Sequence, residues 1–391
     1  MYRTTAHRPA LVAGIAIVSV ALLAACGTSN GSSDSGAQEK LEELGEFEGA
    51  VSILAWPGYV EDGSNDPEVD WVSPFEEETG CEVTSKTYGT SDEAFSLMKT
   101  GDYDVVAASG DASLRLVAAG DVAPVNTDLI PNYEGIYEFL KMQSWNSVDG
   151  ESYGIPHGYG VNLLMYNTDE VTPAPTSWSV VFDGSSAYAG KVTAYDSPIY
   201  IADAAVYLMA TQPDLGIENP YALDEEQLAA AVDLLKAQRE NVGEYWSDYL
   251  KEIQAFESGD SVVGTTWQVI QNSVTTGNTA VVLPEEGSTG WSDTWMIASE
   301  AEHPNCAYAW LDYIASPEAN AQATAYFGEA PSNQAACEFR DDCEAYHAGD
   351  EEYAAQVWYW STPIAECLDG RTDVECTDYS AWTTAWSEIK G

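Results

Sequence analysis

Positive charge is what this chain most lacks. Its 391 residues carry 14 Lys and Arg against 64 Asp and Glu. That balance excludes nucleic acid and anionic surfaces as partners, because both are bound through clustered bases. Histidine is nearly as scarce. His7, His157, His303 and His347 are scattered, and no His-Glu-x-x-His or Cys-x-x-Cys occurs, so neither a metal nor a cofactor is expected. Beyond residue 45 the chain also lacks a Gly-x-Ser-x-Gly elbow, internal repeats and low-complexity stretches, which removes the common hydrolase signatures. Paired carboxylates of the glycosidase kind arise by chance among 64 acids and carry little weight. An enzyme is not expected.

Long apolar runs are missing except at the start. Arg3, His7 and Arg8 precede an uncharged stretch from Leu11 to Leu23, which is too short to span a bilayer comfortably and reads as an export signal over residues 1–25. It ends Leu23-Ala24-Ala25-Cys26, similar to a bacterial lipobox in which the Cys becomes a lipidated N-terminus. Residues 26–47 are dominated by Ser, Gly, Asn, Asp, Glu and Lys and read as a flexible tether. The chain is therefore expected on the extracellular face of a cell membrane, or in a periplasm, held by lipidated Cys26.

Removal of residues 1–25 leaves 366 residues and 12 bases against 64 acids, a formal charge of −52. That length is too great for one ordinary core, so two domains are expected. Most of the acid reads as surface chemistry suited to a salty habitat, since a binding site needs only a few carboxylates. Beyond Cys26 six cysteines remain, an even number in an exported chain. Cys337 with Cys343 and Cys367 with Cys376 bracket short acidic turns and read as local disulfides, which leaves Cys81 for Cys306.

Strands and helices alternate along the body. Strands are expected at 51–56, 81–88 and 103–107, and helices at 71–79, 92–100 and 112–119, several of them ended by Gly. A second series has strands at 161–166, 191–195 and 261–266 and helices at 199–211, 224–240 and 245–258. Further helices are expected at 305–315, 317–327 and 378–389. This pattern implies βαβ units and an α/β fold with mainly parallel sheets. Aromatics recur where strands run out: Trp56, Trp267 and Trp291. Ligands of open α/β sheets sit at such strand ends. Trp291 and Asp293, two apart in an extended run, point to one side and would supply a ring face and an acceptor for a cation.

The body, from about Val51 to Gly391, resembles the substrate-binding proteins of bacterial ABC importers, within them the spermidine/putrescine-binding group. The resemblance rests on Leu54-Ala55-Trp56-Pro57-Gly58-Tyr59, Phe75-Glu76-Glu77-Glu78-Thr79-Gly80, Gly101-Asp102-Tyr103-Asp104-Val105-Val106, Gly154-Ile155-Pro156 and Thr266-Trp267. It also rests on Leu283-Pro284-Glu285-Glu286-Gly287, Trp291-Ser292-Asp293 and Ala315-Ser316-Pro317-Glu318, in this order and spacing. It implies a two-lobed periplasmic-binding-protein fold with hinge crossings: lobe one 48–157 plus 293–340, lobe two 158–292 plus 341–391. It implies a monomer that traps a small cation, a polyamine, between the lobes and passes it to ABC permease and ATPase subunits.

Carried over residue by residue, the resemblance implies that Trp56, Tyr59, Ser109, Trp267, Trp291 and Asp293 line the cleft, with Tyr159 and Asn162 beside the first crossing. For the second carboxylate it points near Asp196, with Tyr200 and Asp203 following and the register open. The chain departs from the family where Asp111 and Glu329 replace rings, and Trp358-Tyr359-Trp360 adds an aromatic cluster. Other cationic or small polar solutes, a quaternary amine or an opine-like compound, remain alternatives. A ferric site is disfavoured by the lack of adjacent tyrosines.

Overall fold

The computed structural model describes residues 40–183 and 187–391. The expected export signal, residues 1–25, and lipidated Cys26 lie outside the described residues. Two sheets carry the body. The larger has the strand order 330–331, 155–161, 288–297, 105–108, 50–55, 82–87, and strand 357–359 joins the start of 288–297. The smaller has the order 279–282, 163–167, 263–266, 192–195, 242–246.

Each sheet has three parallel strands at one end, the part expected from the alternation, and antiparallel pairing along the rest of its strand order. Ala50–Ala55 runs parallel to both Glu82–Thr87 and Val105–Ala108, and Val192–Tyr195 runs parallel to Val242–Trp246 and Val263–Thr266. The near-continuous apolar runs, such as fully buried Val105–Ala108, are what two-sided burial demands. Strands next to the crossings run antiparallel to their neighbours.

Helix boundaries follow local chemistry. Thr90 accepts from Glu93 N–H at the start of Ser91–Met98, and Asp224 and Gln227 form a reciprocal capping box at the start of Glu225–Gln238. Gly80 and Gly120 end their helices with φ of 73° and 74°, values that suit glycine.

The chain changes sheets at Asn162, between strands 155–161 and 163–167, and again between 282 and 288. Ser288–Ser292 and Val357–Tyr359 pair within the larger sheet, although both stretches were expected in lobe two. The reason is the long strand Ser288–Ile297, which needs a partner at its start as well as its end. Between Ser292↔Tyr159 and Thr294↔Pro156 the register shifts, the extra residue lying in strand 155–161.

Cys81–Cys306, Cys337–Cys343 and Cys367–Cys376 are bonded. Part of the segment expected as tether lies against the body. Lys40 pairs with Glu151 at 2.6 Å, Leu41 O accepts from Asn126, and Gly45 N–H donates to Asn305. Among the described residues no helix is long and apolar enough to cross a membrane, and no cluster of three His, Cys, Asp or Glu side chains could hold a metal ion.

Candidate functional site

Five strands contribute to one chamber of about 380 Å³, four by their ends and one by its middle. From the larger sheet, strand 50–55 delivers Trp56 and Pro57, strand 105–108 delivers Ser109, and strand 288–297 carries Trp291 and Asp293. From the smaller sheet, strand 263–266 delivers Trp267, and strand 242–246 delivers Ser247, Asp248 and Tyr249. Gly89, Thr90, Phe327 and Trp360 complete the lining. The chamber thus lies between the sheets at strand carboxyl ends, as the topology of such folds favours.

The indoles are oriented by their own N–H groups. Trp56 Nε1 donates to Ser109 Oγ at 3.1 Å, Trp267 Nε1 to Asn162 Oδ1 at 2.9 Å and Trp291 Nε1 to Glu329 Oε2 at 2.8 Å. Asn162 is itself fixed by its 2.6 Å bond to Thr289 Oγ1. With these donors spent inside the protein, the rings offer faces rather than edges. Trp267 and Trp291 have centroids 5.3 Å apart, and Tyr195 stacks on Trp360 at 5.7 Å with planes 10° apart. An electron-rich box of this kind suits a cation or an alkyl chain.

Asp293 is the charge in the box. It is 2 % exposed. Its Oδ2 accepts from Tyr59 O–H at 2.9 Å, and its Oδ1 has no hydrogen-bond partner. Among the described residues no Lys or Arg forms an ion pair with it. Burial pushes its carboxyl up to about 7, and the Asp111 charge adds to this. The Ser109 and Tyr59 hydroxyls pull the other way.

Behind it, Glu329 is buried too, raised to about 8 by burial first and by Asp293 second. Its Oε1 lies 3.7 Å from His157 Nε2. Burial holds that imidazole down at about 3, so it is neutral and offers no countercharge. Asp111 accepts from Ser91 O–H at 2.8 Å and is raised to about 6, mainly by burial. The region therefore gathers three buried acids held above the usual carboxylate range, none of them in an ion pair with Lys or Arg among the described residues, and a bound cation would favour their ionised forms.

The expected residues divide into three groups. Trp56, Ser109, Trp267, Trp291 and Asp293 line the chamber together. Tyr59, fully buried, reaches Asp293 from behind and orients it. Tyr159 and Asp196 are not brought to the chamber. Tyr159 accepts from Gly349 N–H at 2.7 Å and faces a separate cavity of about 140 Å³ beyond the Trp291 ring. Asp196 accepts from Trp386 Nε1 at 3.2 Å and pairs with Lys390 at 2.8 Å. Residues not expected here are Phe327, Tyr195 and the Ser247–Tyr249 turn. For that turn a signal existed: Asp248, a residue type favoured at helix caps, follows the adjacent aromatics Tyr245 and Trp246. Trp360 lay within a cluster already noted as an addition to the family pattern.

Comparison with known proteins agrees with this architecture. Residues 70–349 match the family model described as bacterial extracellular solute-binding protein. A putrescine-binding periplasmic protein, SpuD, of Pseudomonas aeruginosa is 26 % identical over 340 residues, covering 82 % of this chain and 88 % of that protein. A putrescine/agmatine-binding protein of the same species is 26 % identical over 291 residues, 68 % of this chain and 77 % of the other. Among solved structures, the Tp0655 (TpPotD) lipoprotein of Treponema pallidum superposes with a TM-score of 0.71 at 18 % identity, covering 87 % of this chain and 99 % of that one. That likeness shows the two-lobed binding-protein fold.

Proposed function

Because this chain belongs to the bacterial extracellular solute-binding proteins, which are receptors of transporters and not enzymes, we propose that its chamber captures a polyamine of the putrescine and spermidine kind. One observation carries the reading. Asp293, unpaired by any base, lines a chamber of tryptophans and has a buried oxygen, Oδ1, without a hydrogen-bond partner. A primary ammonium supplies three donors and the missing positive charge. The attached methylene chain stacks on indole.

In this reading Asp293 receives one ammonium while Tyr59 holds the carboxylate in place. Trp56, Trp267, Trp291 and Trp360 enclose the carbon chain, and Ser109 supplies an acceptor at the wall. Closure of the lobes removes water and strengthens each of these contacts. The relatives named for putrescine support the ligand class. Lipidation at Cys26, delivery to ABC permease and ATPase subunits, and a monomeric state belong to the same proposal.

A ceiling of about −1.5 kcal/mol per non-hydrogen atom gives a four-carbon diamine about −9 kcal/mol, or a Kd of about 0.3 µM. Calorimetric titration of the protein with putrescine and spermidine tests the proposal. Binding near or above that constant is expected. Absence of heat with both amines, together with binding of a sugar or an anion, would refute it.

A further inference from the structure

Asp293 accounts for one end of a diamine; the other end needs an acceptor. The buried acids near the site are all committed elsewhere. Asp111 is held by Ser91, Asp203 by Thr289, and Glu329 by the Trp291 N–H behind the ring. Asp196 is neutralised by Lys390. None of the four lines the chamber, whose carboxylates among the described residues are Asp293 and Asp248.

Resting on the polyamine reading above, we propose that Asp248 is the second carboxylate of the site, reaching the far ammonium from the opposite lobe and making the protein selective for diamines over monoamines. Asp248 directly precedes the helix Tyr249–Ser258. Its Oδ1 caps Leu250 N–H at 3.0 Å, which leaves Oδ2 for a ligand. No Lys or Arg pairs with it among the described residues.

Its strand is a firm mount. Trp246, two residues earlier, is buried, donates to Thr265 O and packs edge-on against Trp267 at 5.0 Å. Gly89 and Thr90 of the other lobe line the same chamber. The two carboxylates come from different sheets in a chamber also lined by tryptophans, so a diamine would draw the lobes together where a monoamine would engage only Asp293. At this rim Tyr249, Leu250 and Tyr326 are 45 %, 57 % and 43 % exposed, apolar surface that closure would cover.

The test compares putrescine with 1-butylamine, which has the same carbon chain and one ammonium, on wild type and Asp248→Asn by titration calorimetry. Asn retains the cap, so folding is not at issue; a circular dichroism melt checks this. Wild type should prefer putrescine. In the variant the putrescine Kd should rise about three- to tenfold, the range for a partly exposed ion pair, while the butylamine Kd stays within about twofold. A putrescine-to-butylamine ratio unchanged by the substitution, or equal losses for both amines, overturns this assignment and leaves the polyamine reading standing. Wild-type protein that binds neither amine overturns this assignment, and failure of spermidine as well, with binding of a sugar or an anion, overturns both.

Discussion

The charge state of Asp293 gives a prediction that the geometry makes quantitative. An ordinary aspartate ionises near 3.9, and binding through it would be flat with pH above about 5.5. Here burial lifts the carboxyl to about 7. The ammonium of a primary amine, like that of lysine at about 10.4, stays charged throughout. The empty protein therefore holds a proton on Asp293 below about pH 7, and the ligand must expel it. Affinity should rise with pH up to that point and then level. With an ionised fraction of about 0.9 at pH 8 and about 0.03 at pH 5.5, the expected change is about thirtyfold, equivalent to about 2 kcal/mol.

Calorimetry in buffers of different ionisation enthalpy measures the proton directly. Release should approach about one proton per ligand at pH 5.5 and fall towards zero at pH 8.5. Glu329, raised to about 8 and coupled to Asp293, can steepen the dependence but not reverse its sign. The control is Asp293→Asn. Loss of one partner of a buried charge pair costs about 2–5 kcal/mol, so putrescine affinity should drop by about 30-fold or more, and the pH step assigned to this group should vanish with it. An affinity that stays level from pH 5.5 to 8 with no proton released would refute the reasoning, because a carboxylate that contacts the ligand from this burial cannot avoid titrating.

Other outcomes follow from single features. Glu252, fully buried and hydrogen-bonded to the Thr193 and Thr266 hydroxyls, has its carboxyl pushed well up by burial. Its protonated form favours folding at low pH, and that contribution is lost as pH rises through the raised value. Glu252→Gln should therefore raise the thermal midpoint by a few degrees at pH 8 and little at pH 5, and an equal shift at both would count against it. Removing Cys81–Cys306, which spans 225 residues, should cost about 5 kcal/mol by loop entropy, against about 2–3 kcal/mol for the pairs spanning 6 and 9 residues; denaturant melts of the three double serine variants would rank them. Trp267→Ala should weaken putrescine about 10- to 100-fold through loss of a cation-facing ring, and Trp267→Phe should recover part of that in the same titration.

The lining residues legible from sequence share one property: they are local. Trp56, Ser109 and Trp267 mark places where a strand pattern stops, and strand ends are where such sheets bind; Trp291, expected at a strand end, lies inside the strand Ser288–Ile297 instead. Asp196 also follows a strand, yet its partner Lys390 lies 194 residues away on the terminal helix, and no pattern within the strand could indicate that. Tyr159 is turned away because it stands opposite Ser292, on the face that alternates with that of Trp291, and its ring packs on Phe139 and Tyr359. The strand Val242–Trp246 overlaps a helix expected from 245, since Tyr245 and Trp246 fit either periodicity. What decides for a strand is the parallel ladder to Val192–Tyr195 and the close approach of Gly243 to the Gly190 carbonyl, where a Cβ would sit at 2.2 Å.

The acid excess of this chain has two parts that obey different physics. Most of it is solvated, screened within about 10 Å at moderate salt, and says little about a ligand. Asp111, Asp293 and Glu329 belong to the buried remainder: Asp111 raises Asp293, Asp293 raises Glu329, and the resemblance implies rings at two of the three positions. Rings there would favour any flat or apolar cation. Carboxylates make the empty site costly to ionise and so transfer selectivity to the charge of the ligand. A quaternary amine, which cannot donate a hydrogen bond, would leave Asp293 Oδ1 unsatisfied, whereas a primary ammonium completes it. The free oxygen of Asp293 is therefore what separates the polyamine reading from the aromatic-cage alternative, and no count of tryptophans around the chamber could have made that distinction.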